Sequence, residues 1–277
     1  MQRTTIELLN ECQLKDDSRN SDELIGLEIA SDTKPQHLYI RASVSPAKLS
    51  DIVPLARNVC DIIVQNKQKE LQRLNITVPC RNRCSACCSY FVPVSVPEAF
   101  RIVEELNEMP EEKAKNILRL SLKAAEKMLA DIPDNLILSD SAAVNSLEQF
   151  SRWYHKLNII CPFLSDHSCT EYGNRPLACR EHLVTGSSES CKNPGSDSTS
   201  PVEMPVSIFH VISRLSVEFE GTGPEAIAFH LALPWVQTNL GRSKKTWPAV
   251  EMVRQFVEIV HSIQNEKTGS NTQTVSS

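Results

Sequence analysis

Clustered cysteines constrain this chain more than any other feature of its sequence. Seven of the ten cysteines fall into two short stretches, four within nine positions and three within nineteen. The two stretches contain Cys80, Cys84, Cys87 and Cys88, followed by Cys161, Cys169 and Cys179. Thiolates are soft metal ligands, and in a reducing compartment cysteines stay free to bind metal instead of forming disulfides. The clustering therefore predicts a bound metal, with all seven thiols as candidate ligands.

Composition and charge narrow the class of protein further. Glycine accounts for only 8 of 277 residues and aromatic residues for 5%, which favours helices over turn-rich sheets. The net charge is −5 and the 29 basic residues are dispersed, so neither nucleic acid nor an anionic membrane is expected as a partner. The first residues lack the basic stretch and apolar run of an export signal, and no apolar run is long enough to span a bilayer. We expect a cytoplasmic protein without membrane insertion.

Hydrophobic periodicity predicts helices joined by short strands. Alternating residues at 25–29 and 38–44 predict a hairpin, and helical spacing predicts a long helix over 46–75. Ser95 and Glu98 have the form of a capping box, which begins a helix over 96–109. The remaining expected elements are helices over 110–130, 142–157, 206–217, 224–240 and 247–263, two short strands within 159–172, and a mobile loop over 184–201.

These elements indicate an α+β fold that is mostly α-helical, with helices around a compact cysteine-rich metal-binding core and short hairpins. We expect an N-terminal segment with a small hairpin over 1–45 and the cysteine-cluster domain over 46–192. A C-terminal helical part packed on that domain is expected over 202–263, followed by a disordered tail over 264–277. Cys60 lies on the buried stripe of the long helix and is expected to be a packing residue.

The number of ligands leaves two arrangements open. Eight cysteines between Cys80 and Cys191 suffice for two four-thiolate sites, whereas four would serve a single centre. We favour one principal centre built from both stretches, because the hairpin around the second stretch has too small a core to be stable alone. Cys191 and the nearby His155, His167 and His182 remain alternative ligands.

Arginines flank both cysteine stretches. A zinc ion with four thiolates, or a 4Fe–4S cluster with four cysteines, carries a net charge of about −2. Arg81 and Arg83 lie within the first stretch, and Arg175 and Arg180 flank the end of the second. Their guanidinium groups could screen the sulfurs, and Arg175 and Arg180 are the predicted cofactor contacts. The alternative is that they are exposed surface charges.

Two motifs carry a resemblance to a known family. They are Cys80-x3-Cys84-x2-Cys87-Cys88, and Cys161-Pro162-Phe163-Leu164 with Cys169-x2-Tyr172-x2-Arg175-Pro176-x2-Cys179-Arg180. Together, over about residues 80–182, they resemble the CxxCxxCC (YkgJ-like) cysteine-cluster family of zinc- or iron-chelating domains, which includes the flagellin lysine N-methylases. The chain departs from the family pattern by having three residues, not two, between its first two cysteines.

The resemblance implies a 4Fe–4S cluster or zinc as the cofactor, with S-adenosylmethionine only for the methylase branch. We therefore expect a metal-binding protein in redox or protein-lysine methyl-transfer chemistry, acting with a protein substrate or redox partner. Whether it is an enzyme stays open, and the alternative is a non-enzymatic module stabilised by zinc. The spacing C-x3-C-x2-C also occurs in radical S-adenosylmethionine enzymes, but the residues after Cys88 are chiefly helical and do not predict their barrel. Gly221-Thr222-Gly223 is expected to end a helix, not to bind a nucleotide.

Overall fold

A computed structural model describes residues 6–9, 22–31, 34–133, 144–187, 191 and 199–273. Its strands are short and pair antiparallel in small sheets. They are β1 (Ile6–Leu9), β2 (Asp22–Ile29), β3 (Gln36–Ser43), β4 (Pro46–Ala47), β5 (Pro93–Val94), β6 (Leu164–Ser165), β7 (Ser168–Cys169), β8 (Val184–Gly186), β9 (Thr199–Pro201), β10 (Ile227–Ala228) and β11 (Trp247–Pro248).

Helices make up most of the fold, so the predicted α+β, mostly helical class is confirmed. The helices are α1 (Val53–Arg73), α2 (Val96–Glu108), α3 (Glu111–Asp131), α4 (Val144–Lys156), α5 (Leu177–Glu181), α6 (Ile208–Glu220), α7 (Ala232–Thr238), α8 (Leu240–Ser243) and α9 (Ala249–Gln273). Within the described ranges, no helix combines the length and apolar character needed to cross a bilayer.

The N-terminal sheet confirms the predicted hairpin and adds a strand to it. Strand β2 pairs with β3 so that Leu27 faces Leu38 and Ile25 faces Ile40. Alternation places Leu27 and Ile40 on the buried face, at 1% and 0% exposure. Strand β1, which the sequence did not predict, pairs with the other edge of β3. The buried face of this sheet packs on α9.

Three hydrophobic clusters hold the described residues together. The largest joins β2 and β3 to α1, α6 and α9. The second packs α2 against α7 with β5 and β10, and the third joins α3 to α4. The cysteine stretches lie between clusters, because Cys80 packs against the first, and Cys161 and Cys169 pack against the second.

The predicted helix over 224–240 is wrong as a continuous element. Residues Ile227 and Ala228 form β10, which pairs with Val94 and Pro93 of β5. A 3-10 turn over Phe229–Leu231 follows, and only then do α7 and α8 begin. Pairing with a distant strand outweighs the local helical periodicity here.

The C-terminal segment also differs from the prediction, because α9 continues ten residues past the predicted helix end at Ile263, to Gln273. Gln264, the first residue past the predicted end, contacts the N-terminal sheet: its Oε1 accepts from the Ala30 N–H at 2.6 Å and its Nε2 donates to the Glu28 carbonyl at 3.2 Å. These bonds tie the helix to the end of β2. Residues 274–277 lie outside the described part.

Candidate metal centre

Consecutive turns shape the first cysteine stretch, which follows α1. The Cys84 N–H donates to the Arg81 carbonyl and the Cys88 N–H to the Ser85 carbonyl, each at 3.0 Å. Arg83, at the third position of the first turn, has a φ of 69°. Successive turns of this kind curl the loop so that thiols separated by two or three residues face one side.

The second stretch is built from a tight hairpin and a short helix. Asp166 and His167 connect β6 to β7 with φ values of 47° and 59°, the geometry of a type I′ turn. The predicted pair of short strands is therefore confirmed. Cys169 ends β7 and Cys179 lies on α5, so the two thiols are held by different elements.

The two stretches meet through the backbone. The Cys161 N–H donates to the Cys88 carbonyl at 2.8 Å. All seven predicted cysteines line one cavity of about 320 Å³, together with Arg175 and Arg180. Residues of α1, including Asp61 and Gln65, form another wall. The two cysteine stretches therefore come together in space, as a single centre built from both would require.

Glu98 fixes the helix that carries Cys179. This fully buried carboxylate accepts from the Ser95 N–H and hydroxyl at 3.1 and 3.0 Å, which confirms the predicted capping box. Its other oxygen accepts from the Leu177 N–H, the first amide of α5, at 2.7 Å. One side chain thus caps two helices and places Cys179 relative to α2. Burial raises the pKa of Glu98, against the opposing effect of these hydrogen bonds.

Backbone amides point at several of the sulfurs. The backbone at Phe163 and Leu164 lowers the pKa of Cys161 and so opposes the effect of burial. The Cys169 sulfur accepts from the Glu171 N–H, and the Cys80 sulfur from the Val184 N–H. Amide donors to sulfur stabilise the thiolate form and tune the potential of any bound cluster.

The surroundings of Cys87, Cys161 and Cys179 favour the neutral thiol over the thiolate. Burial raises the pKa of Cys161 to about 12 and raises that of Cys179 strongly. The pKa of Cys87 is raised first by its hydrogen bond with Cys88 and then by burial. Ligation requires thiolates, so metal binding at this cavity releases protons.

The two predicted cofactor arginines occupy different positions. Arg180 is 3% exposed, and its guanidinium donates to the Asp61 carboxylate at 2.5 Å and to the carbonyls of Arg175 and Gly173. It therefore braces the cavity wall. Arg175 lies over the Tyr172 ring at 3.9 Å, and its charge opposes the rise in the pKa of Cys87 and Cys169. Arg175 is the arginine placed to compensate charge on the sulfurs.

The donor set fits a soft metal, while the spacing does not fit one ion. Zn–S bonds of about 2.3 Å place four sulfurs about 3.8 Å from one another. Among the residues that the structure describes, no three His, Cys, Asp or Glu side chains are positioned to ligate one ion together. The nine cysteines in those ranges are free thiols. The seven cysteines of the two stretches line a cavity of about 320 Å³.

The alternative ligands separate into two groups. His182 is a lining residue of the cavity, whereas His155 and His167 are not. Cys191 is buried at 8% exposure beside the first stretch, and its charge raises the pKa of Cys80. It belongs to the predicted mobile loop, whose ends instead pair as β8 and β9, while residues 188–190 and 192–198 lie outside the described part.

The sequence predicted the position of Cys60 but not the role of Tyr90. Cys60 packs in the largest hydrophobic cluster, outside the cavity lining, as predicted. The role of Tyr90 was missed: its hydroxyl donates to the Cys191 carbonyl and its ring packs edge-on against His182. Only its position two residues after Cys88 hinted at that role.

Fold and site together define a helical protein in which cysteines from two distant stretches surround one metal-binding cavity. Residues 79–196 match the model of the CxxCxxCC family, described as "Putative zinc- or iron-chelating domain". The matched segment includes the seven cavity cysteines and Cys191. No curated protein and no solved structure matches the chain.

Proposed function

We propose that the cysteine-lined cavity binds a 4Fe–4S cluster and that the protein transfers electrons. The observation that carries this proposal is a group of four thiols. In each pair of them, the negative charge of one thiolate would raise the pKa of the other thiol. The four are Cys87, Cys161, Cys169 and Cys179. They come from both stretches and line one cavity of about 320 Å³. A cubane cluster takes four cysteines and fills a space between them.

The residues of this chain have separate roles in that proposal. The four thiolates bind the cluster, which supplies one-electron chemistry when bound. Arg175 offsets part of the negative charge. The backbone at Phe163 and Leu164 opposes the rise in the pKa of Cys161 and so favours its thiolate. Apolar side chains of the lining, such as Phe229, keep water from the sulfurs.

Methyl transfer is the weaker proposal, because it has only the family resemblance behind it. The glycine pair Gly221-Thr222-Gly223 does not serve as a cofactor turn, because Gly221, with a φ of 66°, is the C-cap of α6. We propose electron transfer with a protein redox partner in the cytoplasm, where free thiols persist. The test for methyl transfer is incubation with S-adenosylmethionine and a lysine-bearing protein such as flagellin, followed by mass spectrometry; lysine methylation that requires Cys161 would replace the electron-transfer proposal.

Anaerobic purification tests the cofactor. We expect a brown protein with about four irons and four sulfides per chain that dithionite bleaches. Cys161→Ser should lower the iron content and weaken the colour, whereas Cys60→Ser, a change in the hydrophobic core, should leave the iron content unchanged. A colourless protein with one zinc per chain would overturn the proposal and favour the zinc-stabilised module, which the family description also allows.

A further inference from the structure

Two arginines lie together on the turn at the edge of the cysteine cavity. Arg81 and Arg83 are exposed and both line the cavity. Across residues 6–9, 22–31, 34–133, 144–187, 191 and 199–273, neither guanidinium has a carboxylate partner. The protein as a whole carries a net charge of −5. Arg81 and Arg83, here called the rim arginines, therefore form a positively charged patch beside the proposed metal centre of a protein whose net charge is negative.

The backbone of this turn is not one that an arginine prefers. Arg83 has a φ of 69°, in the left-handed region, at a turn position where glycine or asparagine is favoured. The side chain of Asn82 holds the turn, because its Oδ1 accepts from the Arg83 N–H at 2.9 Å. Strained residues are found disproportionately at functional sites. An arginine in this position indicates that its side chain has a role other than stabilising the fold.

The metal centre already has its own cationic residues. Arg175 lies beside the sulfurs of Cys87 and Cys169, and Arg180 is paired with Asp61 at 2.5 Å. Both are less exposed than the two rim arginines. The charges of Arg81 and Arg83 thus face solvent, where a partner can reach them.

We propose that Arg81 and Arg83 dock the carboxylate-rich surface of an acidic electron-carrier protein. Each guanidinium offers a planar pair of donors that matches a carboxylate. In the encounter one electron leaves the reduced carrier and enters the oxidised centre, and no atom is transferred. The proposal rests on the electron-transfer function above. Opposite charge also steers association, which makes the rate dependent on ionic strength.

The test uses the full chain, purified anaerobically, and a reduced acidic ferredoxin as the probe. The test variant is Arg81→Glu/Arg83→Glu, and the control is Lys244→Glu/Lys245→Glu, which makes the same charge change at exposed neighbouring residues outside the cavity lining. Surface binding and stopped-flow reduction are measured at low and high salt. We expect the rim variant to bind and react about tenfold more slowly at low salt and to lose its salt dependence, while the control stays close to the wild type.

Arg83→Gly separates docking from folding. Glycine relieves the left-handed strain, so we expect the thermal midpoint to rise by about 2 °C, while ferredoxin binding weakens. Equal binding by the rim variant and the control, or binding that salt does not change, would overturn the docking proposal. If ferredoxin binds through Arg81 and Arg83 but does not reduce the protein, the electron-transfer function is refuted and the docking proposal is still supported.

Discussion

Replacing Glu98 tests whether one buried carboxylate holds the capping box and the Cys179 helix together. Its oxygens accept from the Leu177 N–H at 2.7 Å and from the Ser95 N–H and hydroxyl at 3.1 and 3.0 Å. Glu98→Ala leaves two buried amides without acceptors, and each costs about 1–3 kcal/mol. With the lost packing included, we expect the free energy of unfolding to fall by about 3–5 kcal/mol.

Glu98→Gln is the matched variant, because it keeps the shape and one acceptor oxygen. That oxygen can still serve the Leu177 N–H, but the amide NH₂ then faces the Ser95 N–H. We expect a smaller loss of about 1–2 kcal/mol. The variant also removes a titrating group whose pKa burial raises above its ordinary value of 4.5. Stability from that group is complete below pH 4.5 and is lost as pH rises through the raised pKa.

Urea unfolding of the metal-free protein, followed by circular dichroism, gives these free energies. Glu108→Ala provides the control, since Glu108 is an exposed acid at the end of the same helix, and its loss should cost less than about 0.5 kcal/mol. Metal content after desalting gives a second readout, because a displaced Cys179 weakens ligation. The reasoning fails if Glu98→Ala unfolds within 0.5 kcal/mol of Glu108→Ala.

Three other perturbations have defined outcomes. Burial lowers the pKa of His230 from 6.5 to about 4. The free energy of unfolding of the wild type should therefore fall by up to about 1.4 kcal/mol per pH unit as pH drops from 6.5 towards 4. A His230→Gln variant whose free energy of unfolding in urea changes equally with pH would contradict this. Gln264→Ala should cost about 1–2 kcal/mol, measured by thermal unfolding, and a midpoint equal to wild type would show that its bonds to Ala30 and Glu28 contribute nothing. Removing the metal with a chelator should lower the thermal midpoint but leave the far-ultraviolet circular dichroism unchanged, since the helices also pack through three hydrophobic clusters made mostly of residues outside the cavity lining; helix loss on chelation is the contrary result.

Local signals in the sequence predicted those parts of the fold that local contacts determine. The capping box at Ser95 and Glu98 involves residues three apart, and it is present. The alternation at 25–29 and 38–44 set the register of β2 and β3. The break over Ile227–Ala228 depends on a partner strand more than 130 residues earlier, and Gln264, just past the predicted end of α9, contacts the distant Ala30 amide. No window of local periodicity contains those partners.

In the metal centre, too, the sequence predicted the features that depend on local spacing and not those that depend on distant contacts. The cavity cysteines, Arg175 and Arg180 could be predicted from the sequence, because close spacing of thiols and the arginines that flank them are themselves the signal. The second oxygen of Glu98, which caps α5 across 79 positions, had no such signal. The grouping of Cys87 with the second stretch was equally hidden, since Cys87 and Cys88 are adjacent and only the folded chain distinguishes their surroundings.

The distance along the chain between the two cysteine stretches has a consequence during protein synthesis. Cys179 is translated 99 residues after Cys80, which takes about 5–20 s at synthesis rates of about 5–20 residues per second. Throughout that interval the first four thiols belong to a nascent chain with no cavity around them, open to oxidants and to one another. The proposed centre is therefore incomplete until α5 has been synthesised, and cells that make this protein under oxidative stress should accumulate chains damaged at the first stretch.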